Sequence, residues 1–144
     1  EKIVDYITWE DLFGNKSRNS GQVLKIPVVI MAGGRGTRME PFTKVLPKPL
    51  VPVHEKTIIE HIIEKFINSG VKKFYITLNY KYKILKAYFE ELKPNYSLNF
   101  IQEKKPLGTG DAVKIATTAL KNYDGLVLIC FADTPFIKIE SLKS

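Results

Sequence analysis

Seven consecutive residues, Ala32-Gly33-Gly34-Arg35-Gly36-Thr37-Arg38, close on the apolar run Ile26 to Ala32. Glycines in such a run let the backbone turn tightly and bring several N–H groups within reach of one phosphate. Two familiar phosphate-binding patterns do not fit. A dinucleotide fingerprint needs a further spaced glycine where Met39 stands, and a long helix that Pro41 obstructs. A Walker loop ends in Gly-Lys-Ser or Gly-Lys-Thr, and neither tripeptide occurs in the chain. Taken alone, the glycines are as compatible with an ordinary strand-to-loop turn as with a phosphate cradle. The next segment, Pro47-Lys48-Pro49-Leu50-Val51-Pro52, adds weight to the cradle, because its prolines fix the backbone around one lysine and leave the ammonium projecting. Arg38 and Lys48 then offer a planar guanidinium fork and a point charge to the same polyphosphate. Asp133 closes another apolar run, Leu126 to Ala132, where a lone carboxylate caps a helix as readily as it holds a cation.

These residues need elements that carry them to one place. Ile26 to Ala32 reads as a buried strand, followed by a loop in which no long helix fits between Pro41 and Pro52. Thr57 and Glu60 predict a capping box, and Ile58, Ile59, Ile62, Ile63, Phe66 and Ile67 follow at helical spacing up to Gly70. Phe74 to Leu78 predicts a second strand, Ile84 to Leu92 a second amphipathic helix stopped by Pro94, and Ser97 to Ile101 a third strand. Thr109 to Lys121 predicts a third helix, and Leu126 to Phe131, apolar throughout, a central strand. The alternation implies the α/β class, with a mostly parallel sheet, helices on both faces and right-handed crossovers. Ligands of such sheets sit at the carboxyl ends of the strands, where both the glycine loop and Asp133 fall. The polar stretch Gly14 to Gly21 marks a boundary near residue 22, separating an extension, 1–24, from the alternating part, 25–144.

The run from Met31 through Met39, with Pro41, Thr43 and Pro47-Lys48-Pro49-Leu50, closely resembles the signature of sugar-1-phosphate nucleotidylyltransferases, also called nucleotide-sugar pyrophosphorylases. Pro106-Leu107-Gly108-Thr109-Gly110-Asp111-Ala112-Val113 is similar to the second nucleotide-side loop of that family, and Ala132-Asp133-Thr134 to its metal-binding strand end. The likeness spans residues 25–137; Met39 and Phe42 replace usual leucines and Ala132 a common glycine, with no charged group lost. It implies a Rossmann-like nucleotidyltransferase fold. It also implies attack of a sugar 1-phosphate oxygen on the α-phosphorus of a nucleoside triphosphate, with release of pyrophosphate and no covalent enzyme intermediate. By the same resemblance Arg38 and Lys48 are catalytic, and Ala32, Gly33, Gly34, Gly36, Thr37, Gly108 and Thr109 contact the nucleotide. Asp133 would hold Mg²⁺, for which a hard oxygen ligand is suited. Glu103 takes the position that reads the base edge. A carboxylate accepts the two adjacent donors of guanine, which favours GTP; the alternative is a solvent-exposed Glu103 beside Lys104 and Lys105. The sugar, mannose or a heptose among the candidates, is contacted mostly by family segments that lie downstream of residue 144. The resemblance therefore implies a truncated member, stopping before a second metal carboxylate and a lysine for the sugar phosphate. Residues 1–13 resemble the closing strand and helix of a CBS module. A catalytically inactive nucleotide-binding regulatory domain stands as the competing reading.

The net charge of +7 comes from 19 Lys and three Arg against 15 acids, which suggests anionic partners. Nucleic acid is not expected among them, because the excess is lysine and no aromatic-basic motif accompanies it. The lysines at 72, 73, 81, 83 and 86 are expected to form a solvated surface. No apolar run approaches the roughly 20 residues that span a bilayer, so no membrane partner is expected. The first residues lack the design of a secretory signal, and the single cysteine, Cys130, is expected as a buried hydrophobe, which together suggest a cytoplasmic chain. His54 and His61 are expected to pack or to lie at the surface, and Tyr6, Trp9 and Phe13 to pack. The sequence leaves a homo-oligomer open.

Overall fold

The structure, a computed structural model, describes residues 24–104 and 108–134. Residues 1–23 of the extension, including those likened to a CBS module and with them Tyr6, Trp9 and Phe13, lie outside the described residues. The chain enters on strand β1 (Val28–Met31), loops through short turns to a small antiparallel hairpin, β2 (Pro52–Val53) and β3 (Lys56–Thr57), and continues into helix α1 (Ile58–Ile67). Strand β4 (Lys73–Leu78), helix α2 (Tyr82–Leu92), strand β5 (Ser97–Gln102), helix α3 (Thr109–Ala119) and strand β6 (Leu128–Phe131) complete the alternation.

The start of α1 follows from its cap. The Thr57 hydroxyl accepts from the Glu60 N–H, and the Glu60 carboxylate accepts from the Thr57 N–H at 2.7 Å and from the Tyr88 hydroxyl at 2.8 Å. Burial alone would raise the Glu60 pKa, but the hydrogen bonds from Thr57 and Tyr88 and the charge of Lys56 hold it below the usual carboxylate range. Because Tyr88 belongs to α2, the capping box also joins two helices.

Four parallel strands form one sheet in the order β5-β4-β1-β6. The chain moves outward from β1 to β4 to β5 with α1 and α2 on one face, then returns past β1 to β6 with α3 on the other. A right-handed crossover requires that change of face when the direction reverses. On the first face Val28, Ile30, Phe74, Ile76, Leu78 and Cys130 pack against Ile59, Ile62, Ile63 and Phe66 of α1 and Leu85 and Phe89 of α2. Each such side chain contributes roughly 1.5–3 kcal/mol on full burial. On the second face Val29 and Tyr75 meet Ala116 of α3 and Leu120 just beyond it.

The run Leu126 to Phe131 differs from its reading as a central strand. Among the described residues β6 pairs only with β1, the strand begins at Leu128, and Leu126, Ile129 and Phe131 are 79%, 43% and 45% exposed. Helix α3 packs across β1, β4 and β5 and leaves this part of β6 uncovered. No helix among the described residues is long and apolar enough to cross a membrane.

Candidate functional site

Strand order reverses at β1, so a crevice opens between the carboxyl ends of β1 and β6, the usual ligand position in open α/β sheets. It holds a cavity of about 270 Å³. One wall is the glycine loop after β1, with Ala32, Gly33 and Gly34; Lys48 and Pro49 flank it. Glu103, beyond β5, forms the second wall, and Gly108, Thr109 and Ala112 at the start of α3 the third. Met31 and Phe131, paired across β1 and β6, lie beneath, and Ala132 and Asp133 close the remaining side.

The glycine loop leaves the sheet in a fixed direction because the Ala32 N–H donates to the Thr77 carbonyl at 2.8 Å. A Cβ on Gly33 would lie 3.3 Å from Oε1 of Glu103, so the missing side chain is what lets the carboxylate come so near the loop. Gly36 has φ 68°, and a Cβ there would meet the Thr43 methyl at 2.9 Å and Cβ of Lys48 at 3.0 Å. The Thr43 hydroxyl donates to the Gly36 carbonyl at 2.8 Å, which closes this turn from within.

Glu103 is 4% exposed, which overturns the solvent-exposed alternative for it. Its backbone is held at both groups: its N–H donates to the Leu78 carbonyl at 3.0 Å, and its own carbonyl accepts from the Asn79 side chain. The end of β4 therefore aims a carboxylate into the cavity. On the opposite side the Lys48 ammonium donates to Oδ2 of Asp133 at 2.9 Å, joining residues 85 positions apart. Asp133 sits in a turn tied down by the Thr134 N–H and hydroxyl, both donating to the Phe131 carbonyl. Both partners of the ion pair keep solvent contact, so it contributes no more than about 1 kcal/mol to stability.

The structure thus gathers Ala32, Gly33, Gly34, Lys48, Glu103, Gly108, Thr109 and Asp133 around one cavity. Gly36, Thr37 and Arg38 are not among its described lining; Thr37 and Arg38 are exposed on the 3₁₀ turn Thr37–Met39. Met31, Pro49 and Phe131 also line the cavity; the sequence gives Pro49 only the task of fixing the backbone around Lys48, and gives Met31 and Phe131 no part in the site. Register carries the signal for the first and last of these, since residues paired across adjacent parallel strands share a face. Among the described residues no group of three or more His, Cys, Asp or Glu side chains could hold a metal. Mg²⁺ commonly takes one or two carboxylates plus substrate phosphates, so a single half-exposed Asp133 at the cavity rim fits an ion that arrives with the phosphates. The His61 Nε2–H donates to the Val53 carbonyl at 2.9 Å, and His54 occupies the hairpin turn with φ 56°, both away from the cavity lining. Lys72 and Lys73 lie at the amino end of β4 and Lys81 and Lys83 beyond its carboxyl end, so the lysine cluster is not one face.

A Gly-rich loop, a helix start and a carboxylate converging at the switch point of a parallel sheet is the architecture of a nucleotide-binding α/β domain. Residues 27–141 match the family model described as Nucleotidyl transferase, and the chain belongs to that family. Over 94 residues it is 36% identical to D-glycero-alpha-D-manno-heptose 1-phosphate guanylyltransferase of Campylobacter jejuni, covering 65% of this chain and 42% of the relative. Over 100 residues it is 43% identical to the Bifunctional protein GlmU of Methanococcus maripaludis, covering 69% of this chain and 23% of the relative. Among solved structures, HddC from Yersinia pseudotuberculosis complexed with GMP-PN superposes with a TM-score of 0.63 at 30% identity, covering 75% of this chain and 48% of that one. The chain spans less than half the length of these relatives.

Proposed function

We propose that this chain forms the nucleotide side of an enzyme that transfers a nucleotidyl group from GTP to a sugar 1-phosphate. A phosphate oxygen of the sugar forms a bond to the α-phosphorus, the bond to the bridging oxygen breaks, and pyrophosphate leaves. The observation that carries this reading is the convergence of the glycine loop, the Lys48–Asp133 pair and buried Glu103 on one cavity. Loop amides and Lys48 take the phosphates, and Asp133 would hold Mg²⁺, which would offset their charge. Arg38 reaches the same phosphates from its exposed turn, and Gly36 and Thr37 shape the loop. The Glu103 carboxylate accepts from the ring N–H and the amine of guanine, and Met31 and Phe131 give the nucleoside an apolar floor. The guanylyltransferase name of one relative and the GMP-PN with which HddC is complexed support the choice of base.

Pyrophosphate release tests it, measured for the full chain with Mg²⁺, each common nucleoside triphosphate and mannose or heptose 1-phosphate. Turnover fastest with GTP is the expected result. Binding of GTP without turnover would favour the inactive nucleotide-binding domain, and a preference for a uracil or thymine nucleotide would overturn the role given to Glu103.

A further inference from the structure

Lys81 stands outside the cavity and takes no part in the function proposed for it. It is the N-cap of α2 with φ 56° and ψ 33°, a left-handed conformation that residues other than glycine, asparagine and aspartate seldom adopt. Its side chain makes no capping hydrogen bond to the helix. The ammonium instead lies 5.0 Å from the centre of the Tyr80 ring and donates to the Thr43 carbonyl at 2.9 Å. Thr43 is 2% exposed and bonds onward to the Gly36 carbonyl, while its methyl and Cβ of Lys48 fill the space beside Gly36. One line of contacts therefore runs from the start of α2 through Thr43 and Gly36 to the base of the Lys48 side chain. Between Gly36 and Lys48 the only regular elements are the turns Thr37–Met39 and Phe42–Val45. A segment with so little backbone pairing of its own depends on ties of this kind.

We infer that Lys81 is a positioning residue for the nucleotide site. By holding the Thr43 carbonyl, its ammonium fixes the Gly36 turn and the stem of Lys48, so that a triphosphate meets a loop already in place. Unusual backbone geometry at a residue that offers its helix no cap, yet sends a cation to a main-chain carbonyl across the molecule, is what this role predicts. The inference rests on the nucleotide-binding reading of the cavity.

Two measurements on the full chain test it: calorimetric affinity for Mg·GTP, and amide exchange of the segment 36–48 in the ligand-free protein. Lys81→Met is expected to weaken Mg·GTP binding about five- to tenfold. It should also speed exchange across 36–48 while β4 and α1 exchange as before. Lys81→Arg, which keeps a donor, should restore both. Lys81→Gly, which accepts the left-handed backbone but has no ammonium, should behave like the methionine variant. In a Lys48→Ala background the methionine change should cost less than in the parent, because part of what it positions is already gone. Unchanged exchange and affinity in Lys81→Met, or both recovered in Lys81→Gly, would overturn the inference. A parent chain that binds no Mg·GTP would sink the nucleotide reading instead, while exchange across 36–48 would still decide what Lys81 holds.

Discussion

Strands β1 and β6 are neighbours in register, Val28 beside Leu128 and Met31 beside Phe131, and both are apolar throughout, yet they are held in different ways. β1 has a partner on each side and helices over both faces, and Val28, Val29 and Ile30 are fully buried. β6 has one partner among the described residues and one covered face, where Cys130 is buried; Ile129 and Phe131 point to the other face and are exposed. Each delivers half of the site at its carboxyl end: the glycine loop from β1, Asp133 from β6. A run of apolar residues thus specifies a strand without specifying how many neighbours it has. The two halves of the site consequently stand on supports of unequal firmness.

Core truncation is the strongest way to break that comparison. Ile30→Ala should destabilise the chain by about 2–5 kcal/mol, and Ile129→Ala by less than about 1 kcal/mol, measured by denaturant unfolding. Equal losses would mean that the two strands are supported alike. Next in size, Lys48→Ala should weaken triphosphate binding by about 1.5–3 kcal/mol in a titration, the value of a charged hydrogen bond, with little change in unfolding midpoint. The two sides of β6 can be separated chemically. Burial pushes the Cys130 thiol from 9.0 up to about 12, so alkylation of the folded chain at mild alkaline pH should be slow, whereas the exposed thiol introduced by Ile129→Cys should react quickly. The folded chain then retains a proton that the unfolded chain releases. The stability from this thiol is present in full below pH 9 and is lost as pH rises from 9 toward 12. Smallest in stability is Gly33→Ala. Its methyl would meet the Glu103 carboxylate at 3.3 Å, which must shift by a few tenths of an ångström, so base preference should change more than the melting temperature.

Much of the fold is legible in the sequence because its cues are local. The Thr57–Glu60 box, the spacing from Ile58 to Phe66 and the stop at Gly70 describe α1 to within a few residues. The carboxyl ends of β1 and β6 bring Gly33 and Asp133 to one crevice, as a parallel sheet requires. The position of β6 in the sheet is not legible, because strand order is decided by long-range pairing and not by composition. Phe131 is misread for the same reason: an aromatic at the end of an apolar run looks like core until its register opposite Met31 turns it toward the cavity. Neither does any local pattern foretell that Lys81 reaches Thr43, 38 residues earlier in the chain.

The contact between Lys48 and Asp133 sets one charge against another at the rim of the cleft. On the function proposed above, a polyphosphate meets no bare positive socket; it competes with a resident carboxylate for the Lys48 ammonium. What a titration would report as affinity is then the outcome of a competition: the ammonium's gain from the visitor less the tie to its neighbour that it gives up.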